Sequence, residues 1–372
     1  MRRRELLVRG AMAALMAALL ASTTALASPI TPGRLSVDWH ASISPSRFLE
    51  YAPLEKSLPA VDPARGWLFV ADRFGTVRSF DISSRLRWEV EVGGAIEAGL
   101  VFDEGRLYVA TVRGRVICLD AVTGEELWTY SSRSELATTP TVAGGRLFVS
   151  SMTDTLLVLD AETGEFLWFH RRPRPDGLTI RGAAPAVVGN GRVVTGFSDG
   201  GVVALDVEDG RLLWRTEVGA GEHRDVNAAP VVHDGRVYVV SHAGSLHALD
   251  LATGLERWNE RAPRGATRMV RAHDRLVIGA PGVMSAHRLV DGALLWETKL
   301  NETGLPSEIT VSRGRVCVGT EEGPLLVLSA KTGRPELAFD PGTGVGAGAL
   351  PDARGLWLLS NGGRLYRLSW PN

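Results

Sequence analysis

The phrase Cys118-Leu119-Asp120-Ala121-Val122-Thr123-Gly124-Glu125-Glu126-Leu127-Trp128 returns as residues 158–168, 204–214 and 248–258, and in degraded form as residues 286–296. Its tryptophans, Trp128, Trp168, Trp214, Trp258 and Trp296, are therefore 40, 46, 44 and 38 residues apart. Self-similarity at this period marks an array whose units bury their apolar faces against one another. No unit carries a sustained helical stripe; the apolar positions alternate with period two. In the unit ending at Trp168, short strands are expected over residues 139–142, 147–151, 155–160 and 165–170, separated by the Gly144-Gly145 and Thr163-Gly164 turns. Four strands and their turns fill ~40 residues, the size of one propeller blade.

Turn chemistry agrees with this division. Asp81, Asp120, Asp160, Asp206 and Asp250 are placed to accept from the amides that follow them, and Gly124, Gly164, Gly210, Gly254, Gly292 and Gly333 supply the reversal. Small residues and proline (Ala183-Ala184-Pro185, Ala228-Ala229-Pro230, Ala347-Gly348-Ala349) fit a first strand that lines a crowded central channel. Pairs of second and third strands begin near Trp67, Leu107, Leu147, Val193, Val237, Leu276, Val316 and Leu356, which makes eight blades. The last unit stops at Asn372 without a fourth strand, and residues 35–43, with Trp39, form an unattached strand at the other end. The expected fold is an all-β, eight-bladed β-propeller of four-stranded blades, closed by this N-terminal strand pairing into the last blade and leaving no open sheet edge between its ends.

Residues 1–27 read as an address. Arg2, Arg3, Arg4 and Arg9 precede an apolar stretch, and Ala25-Leu26-Ala27 ends in small residues, the layout of a cleaved export signal with the cut after Ala27. The apolar stretch is short of the ~20 residues a membrane span needs. Arg3-Arg4 leaves general and twin-arginine export both open. Residues 28–372 are then one propeller domain, exported to the periplasm, and no cysteine near the cut invites a lipid anchor. The chain has 41 basic and 42 acidic residues, so overall charge gives no footprint for nucleic acid. Cys118 and Cys317 are its two cysteines and each lies in an apolar strand pattern, which favours two separate buried thiols over a disulfide scaffold.

The repeated phrase resembles the tryptophan-docking repeat of pyrroloquinoline-quinone-type (PQQ-like) propellers, a family that holds quinoprotein alcohol dehydrogenases and the BamB-like scaffold of outer-membrane β-barrel assembly. The resemblance implies that Trp39, Trp88, Trp128, Trp168, Trp214, Trp258 and Trp296 dock blade against blade. Unit seven departs from it with Leu337 at the tryptophan position, and unit one has Ile82-Ser83-Ser84-Arg85 in place of the glycine turn. The enzymes of the family carry adjacent cysteines over the cofactor. Cys118 and Cys317 fall in different units, and no Cys-x-x-Cys-His haem motif exists. No catalytic residue, metal ligand or cofactor is assigned; the scattered histidines, of which His242 and His247 are closest, do not make a metal signature.

The links after the fourth strand lengthen over residues 170–181 and 219–225, on the face that also carries the turns between second and third strands. That face is expected to gather Arg73, Arg113, Arg171, Arg172, Arg174, Arg181 and Arg224 as partner-binding residues, arginine being suited to forked recognition of carboxylates and to interface anchoring. The expected role is an exported, non-enzymatic, monomeric scaffold that binds a protein partner in the cell envelope. A PQQ-binding dehydrogenase relative and a small-molecule or carbohydrate-binding sensor stand as the alternatives.

Overall fold

The computed structural model describes residues 32–44, 53–173, 182–221, 223–300, 304–352 and 354–371, and the description concerns the unit Gly33–Asn372. The export segment 1–27 lies outside the described residues. Every regular element among the described residues is a strand, and the strands form eight sheets, the blades of an eight-bladed β-propeller. Blade two shows the pattern: Val101–Asp103, Arg106–Ala110, Arg115–Asp120 and Glu126–Ser131 pair antiparallel in chain order, the first strand innermost.

The second and third strands are buried on both faces, because a neighbouring blade covers each. Leu107 to Ala110 and Val116 to Leu119 are all at most 2% exposed. These strands read as continuous apolar runs for this reason, and only the outermost strand alternates clearly. The core is accordingly divided into eight clusters, one at each junction between blades.

The repeated phrase is the joint itself. In blades two to seven the glycine of the three-to-four turn has positive φ, and an added Cβ would collide with the tryptophan of the preceding blade. At Gly254 (φ +71°) it would come within 2.6 Å of Trp214. The same spot thus demands glycine twice, for backbone conformation and for space. The indole N–H of Trp214 donates to Leu251 O at 2.9 Å and that of Trp296 to Ala330 O at 3.0 Å, while Trp88 and Trp128 reach Ala121 O and Ala161 O at 3.2 and 3.3 Å. Inside the turn, Asp120 Oδ1 accepts from the amides of Val122 and Thr123, both at 2.8 Å. Equivalent bonds hold Asp250, where the Arg257 guanidinium helps to pull the carboxyl down to about 2.

Two details depart from the expectation. The segments Ala183-Ala184-Pro185 and Ala228-Ala229-Pro230 precede the first strands, which run Val187–Gly189 and Val231–His233. Proline has no N–H to give, so the ladder begins after it. Blade seven has five strands: Gly33–Arg34 adds in parallel to Pro335–Phe339, with Gly33 opposite Leu337. The chain then continues as Ser36–Ser42, antiparallel to Arg364–Ser369 in blade eight, with Trp39 opposite Arg367. Trp39 meets Phe80 of blade one edge-on, ring centroids 6.0 Å apart. In that blade Ser84 takes the position of the missing turn glycine, at φ 63°.

Candidate functional site: the loop face and central cavity

Backbone bonds gather the links and the two-to-three turns on one face. Val92, Ser132, Val218, Ala262 and Leu300, each at the start of a link, donate to Gly75, Gly114, Gly200, Gly244 and Gly282 of their own blade's turn. Val112, Met152 and His242, each in the following blade's turn, donate back to Ala95, Glu135 and Asp225 of the link.

The arginines of this face divide into two kinds. Arg73 lies over buried Glu55: its backbone N–H donates to Oε2 at 2.8 Å and its guanidinium pairs with Oε1. Arg172 is 8% exposed, pairs with Asp199, and has its guanidinium 5.7 Å from the Phe197 ring centre. Both guanidiniums are thus engaged within the chain, in ion pairs largely removed from water. Arg113 and Arg171 are exposed, and the Arg224 side chain is 41% exposed, 3.9 Å from Glu217. Arg174 and Arg181 lie outside the described residues. Sequence spacing could not separate these kinds, because the acids that occupy Arg73 and Arg172 are 18 residues before and 27 residues after them.

The blades surround a cavity of about 400 Å³, near the lower end of the ~300–1,000 Å³ usual for small-molecule pockets. Among the described residues its charged lining is Lys56, Glu97, Arg268, Glu308 and Glu321. Lys56 Nζ is 3.1 Å from Glu97, and Arg268 Nε is 2.9 Å from Glu308.

The residues present do not fit a quinone-enzyme centre. Cys118 and Cys317 sit in blades two and seven as buried free thiols, and burial pushes both up to about 12, far from the thiolate range. Among the described residues that line the cavity, acids outnumber cations, whereas the quinone is a polyanion. Among the described residues no group of three His, Cys, Asp or Glu is placed to hold a metal ion. His247 is taken up by Glu256 at 2.6 Å and Ser245 at 2.9 Å, away from His242, whose ring lies 6.5 Å from that of His223.

Comparison with known proteins places this geometry. A relative described as outer membrane protein assembly factor BamB, from Alkalilimnicola ehrlichii, is 31% identical over 209 residues, 51% of this chain and 52% of its own length. The chain thus spans about half of that relative. The crystal structure of BamB from Moraxella catarrhalis matches at a TM-score of 0.77 with 21% identity, over 90% of this chain and 100% of that one. The quinohemoprotein alcohol dehydrogenase from Comamonas testosteroni shares the fold at a TM-score of 0.70 and 16% identity, over 90% of this chain and 76% of its own. The family model described as outer membrane protein assembly factor BamB matches residues 73–288 and 280–369, which between them hold most of the chain, and the chain belongs to that family.

Proposed function

We propose that this protein is a periplasmic, non-enzymatic scaffold that binds a protein partner during assembly of outer-membrane proteins, and that its loop face is the docking surface. The observation that carries the reading is the family match, joined to a face on which Arg113, Arg171 and Arg224 stay available after Arg73 and Arg172 are engaged internally. Exposed arginines are suited to anchor an interface. Deleting the gene is expected to lower the amount of folded β-barrel protein in the outer membrane. The wild-type gene should restore it, whereas the triple reversal Arg113→Glu, Arg171→Glu, Arg224→Glu should not, although that variant folds. Full complementation by the triple variant would remove the face from the reading.

The shared propeller of a quinohemoprotein alcohol dehydrogenase favours a second reading, a PQQ-dependent oxidoreductase. Titration of the purified protein with PQQ and calcium is expected to give no saturable uptake by absorbance, since the cavity offers neither paired cysteines nor a cationic lining. Saturable binding would reverse that expectation.

A further inference from the structure

The repeat supplies its own control for the outermost strands. In six blades the residue that follows the docking tryptophan is polar and exposed: Glu89, Thr129, Arg215, Asn259, Glu297 and His40. Polar side chains there discourage an open sheet edge from pairing with another chain. Two blades depart from this. In blade seven the position is Ala338, beside Phe339, and that edge is covered: Gly33–Arg34 lies along it in parallel, and Leu35, 5% exposed, joins the same core as Leu337. In blade three the position is Phe169, which is 58% exposed, and Phe166–Arg171 is the outermost strand of its sheet. The exposed Phe166 has its ring centre 6.2 Å from that of Phe169, so the two rings make one apolar patch, extended by exposed Leu167. Six other blades close without an apolar residue here, so the fold does not demand Phe169. Blade seven shows what an apolar edge takes in this molecule, which is a further strand.

We infer that a second copy of this chain covers the blade-three edge, pairing strand to strand about a two-fold axis near Trp168. Charge selects this occupant and its direction. Glu165 and Arg171, both exposed, stand three residues either side of Trp168. An antiparallel copy sets Glu165 of each chain beside Arg171 of the other, giving two opposite-charge pairs, whereas an in-register parallel copy would set like beside like. The same arrangement brings Phe169 of each chain against the Phe166-Leu167 stretch of the other, so both aromatic patches leave water together. Such an interface is isologous and closed, and it leaves neither edge open to a third chain. Six paired residues a side make a small interface, so the dimer is expected to be weak, with a dissociation constant of roughly 10–100 μM. This departs from the monomer expected from the sequence, and it does not rest on the scaffold reading of the loop face.

The test is sedimentation velocity on the purified mature chain from about 1 to about 200 μM, a range that brackets such a constant. The wild-type mass should rise with concentration toward twice that of the monomer. Phe169→Thr, the side chain that blade two has at this position, should weaken association about tenfold or more. It should melt as the wild type does at low concentration; a comparable loss of melting temperature would make Phe169 a part of the fold and overturn the inference. Glu165→Arg should also weaken association, and adding Arg171→Glu to it should restore the dimer, because the two pairs then form with their signs exchanged. A charge with a merely structural role would show no such rescue. A wild type that keeps the monomer mass throughout, as it would if the edge took a strand from a different protein, overturns the inference. So does a dimer that every variant retains, since its contact lies elsewhere. Neither result touches the loop-face reading, because Phe169→Thr leaves Arg113, Arg171 and Arg224 in place and the outer-membrane protein assay decides that reading separately.

Discussion

Replacing Trp214 by alanine is expected to cost about 3–5 kcal/mol, the range for truncating a large buried aromatic, and to lower the melting temperature by roughly 4–7 °C, the unfolding entropy of a chain this long being large. Trp214 is 7% exposed, packs under Gly254 of the following blade, and donates to Leu251 O at 2.9 Å. Truncation therefore empties a joint between blades four and five and orphans a carbonyl at the same time. Gly254→Ala attacks the joint from the other side, since its Cβ would lie 2.6 Å from the indole at a φ of +71°. Trp258 provides the internal control. It is only half-buried and its indole N–H has no partner among the described residues, so Trp258→Ala should cost clearly less. Urea unfolding of the three variants checks the order. A Trp214→Ala protein within about 0.5 kcal/mol of wild type, the scatter of ordinary surface substitutions, would show that the tryptophans do not carry the inter-blade energy.

The same joints explain how much could be read from the residues alone. The Asp-x-x-Thr-Gly-x-x-x-Trp phrase is legible because one contact dictates several of its positions: the aspartate fills the turn, the glycine clears the indole, and the tryptophan fills the groove. Repetition of that contact sets the period and hence the eight blades. What escaped has no local signature. Gly33–Arg34 is a two-residue strand with no alternation to detect, and its place beside Leu337 depends on a chain separation of some three hundred residues. Arg73 and Arg172 look like surface arginines until the fold brings Glu55 and Asp199 against them.

Glu55 is where the ends of the repeat array are tied, and its removal is the second large effect expected. Its carboxylate is fully buried and accepts from Ser44 Oγ at 2.8 Å and from Arg73, while its own N–H donates to Asn361 Oδ1 at 3.2 Å. Asn361 also accepts from Gly346 N–H at 3.0 Å and donates to Glu321 O at 2.7 Å, so one network links the N-terminal strand to blades one, seven and eight. Glu55→Ala leaves the Arg73 guanidinium, 13% exposed, without its buried counter-charge, a loss of about 3–5 kcal/mol. Glu55→Gln keeps the shape and most hydrogen bonds and should cost less. Burial pushes the Glu55 carboxyl above its ordinary value, against the opposing pull of Ser44 and Arg73. A raised folded-state value means that this group's favourable contribution is complete below the unfolded carboxyl range, near pH 4, and is lost as pH rises through the folded value. The stability of wild type relative to Glu55→Gln should therefore fall from pH 4 toward neutrality and then level off, a difference that cancels the other carboxylates common to both proteins. A flat difference across that window, or one that grows with pH, would mean that the Glu55 charge is matched at least as well in the fold as in water.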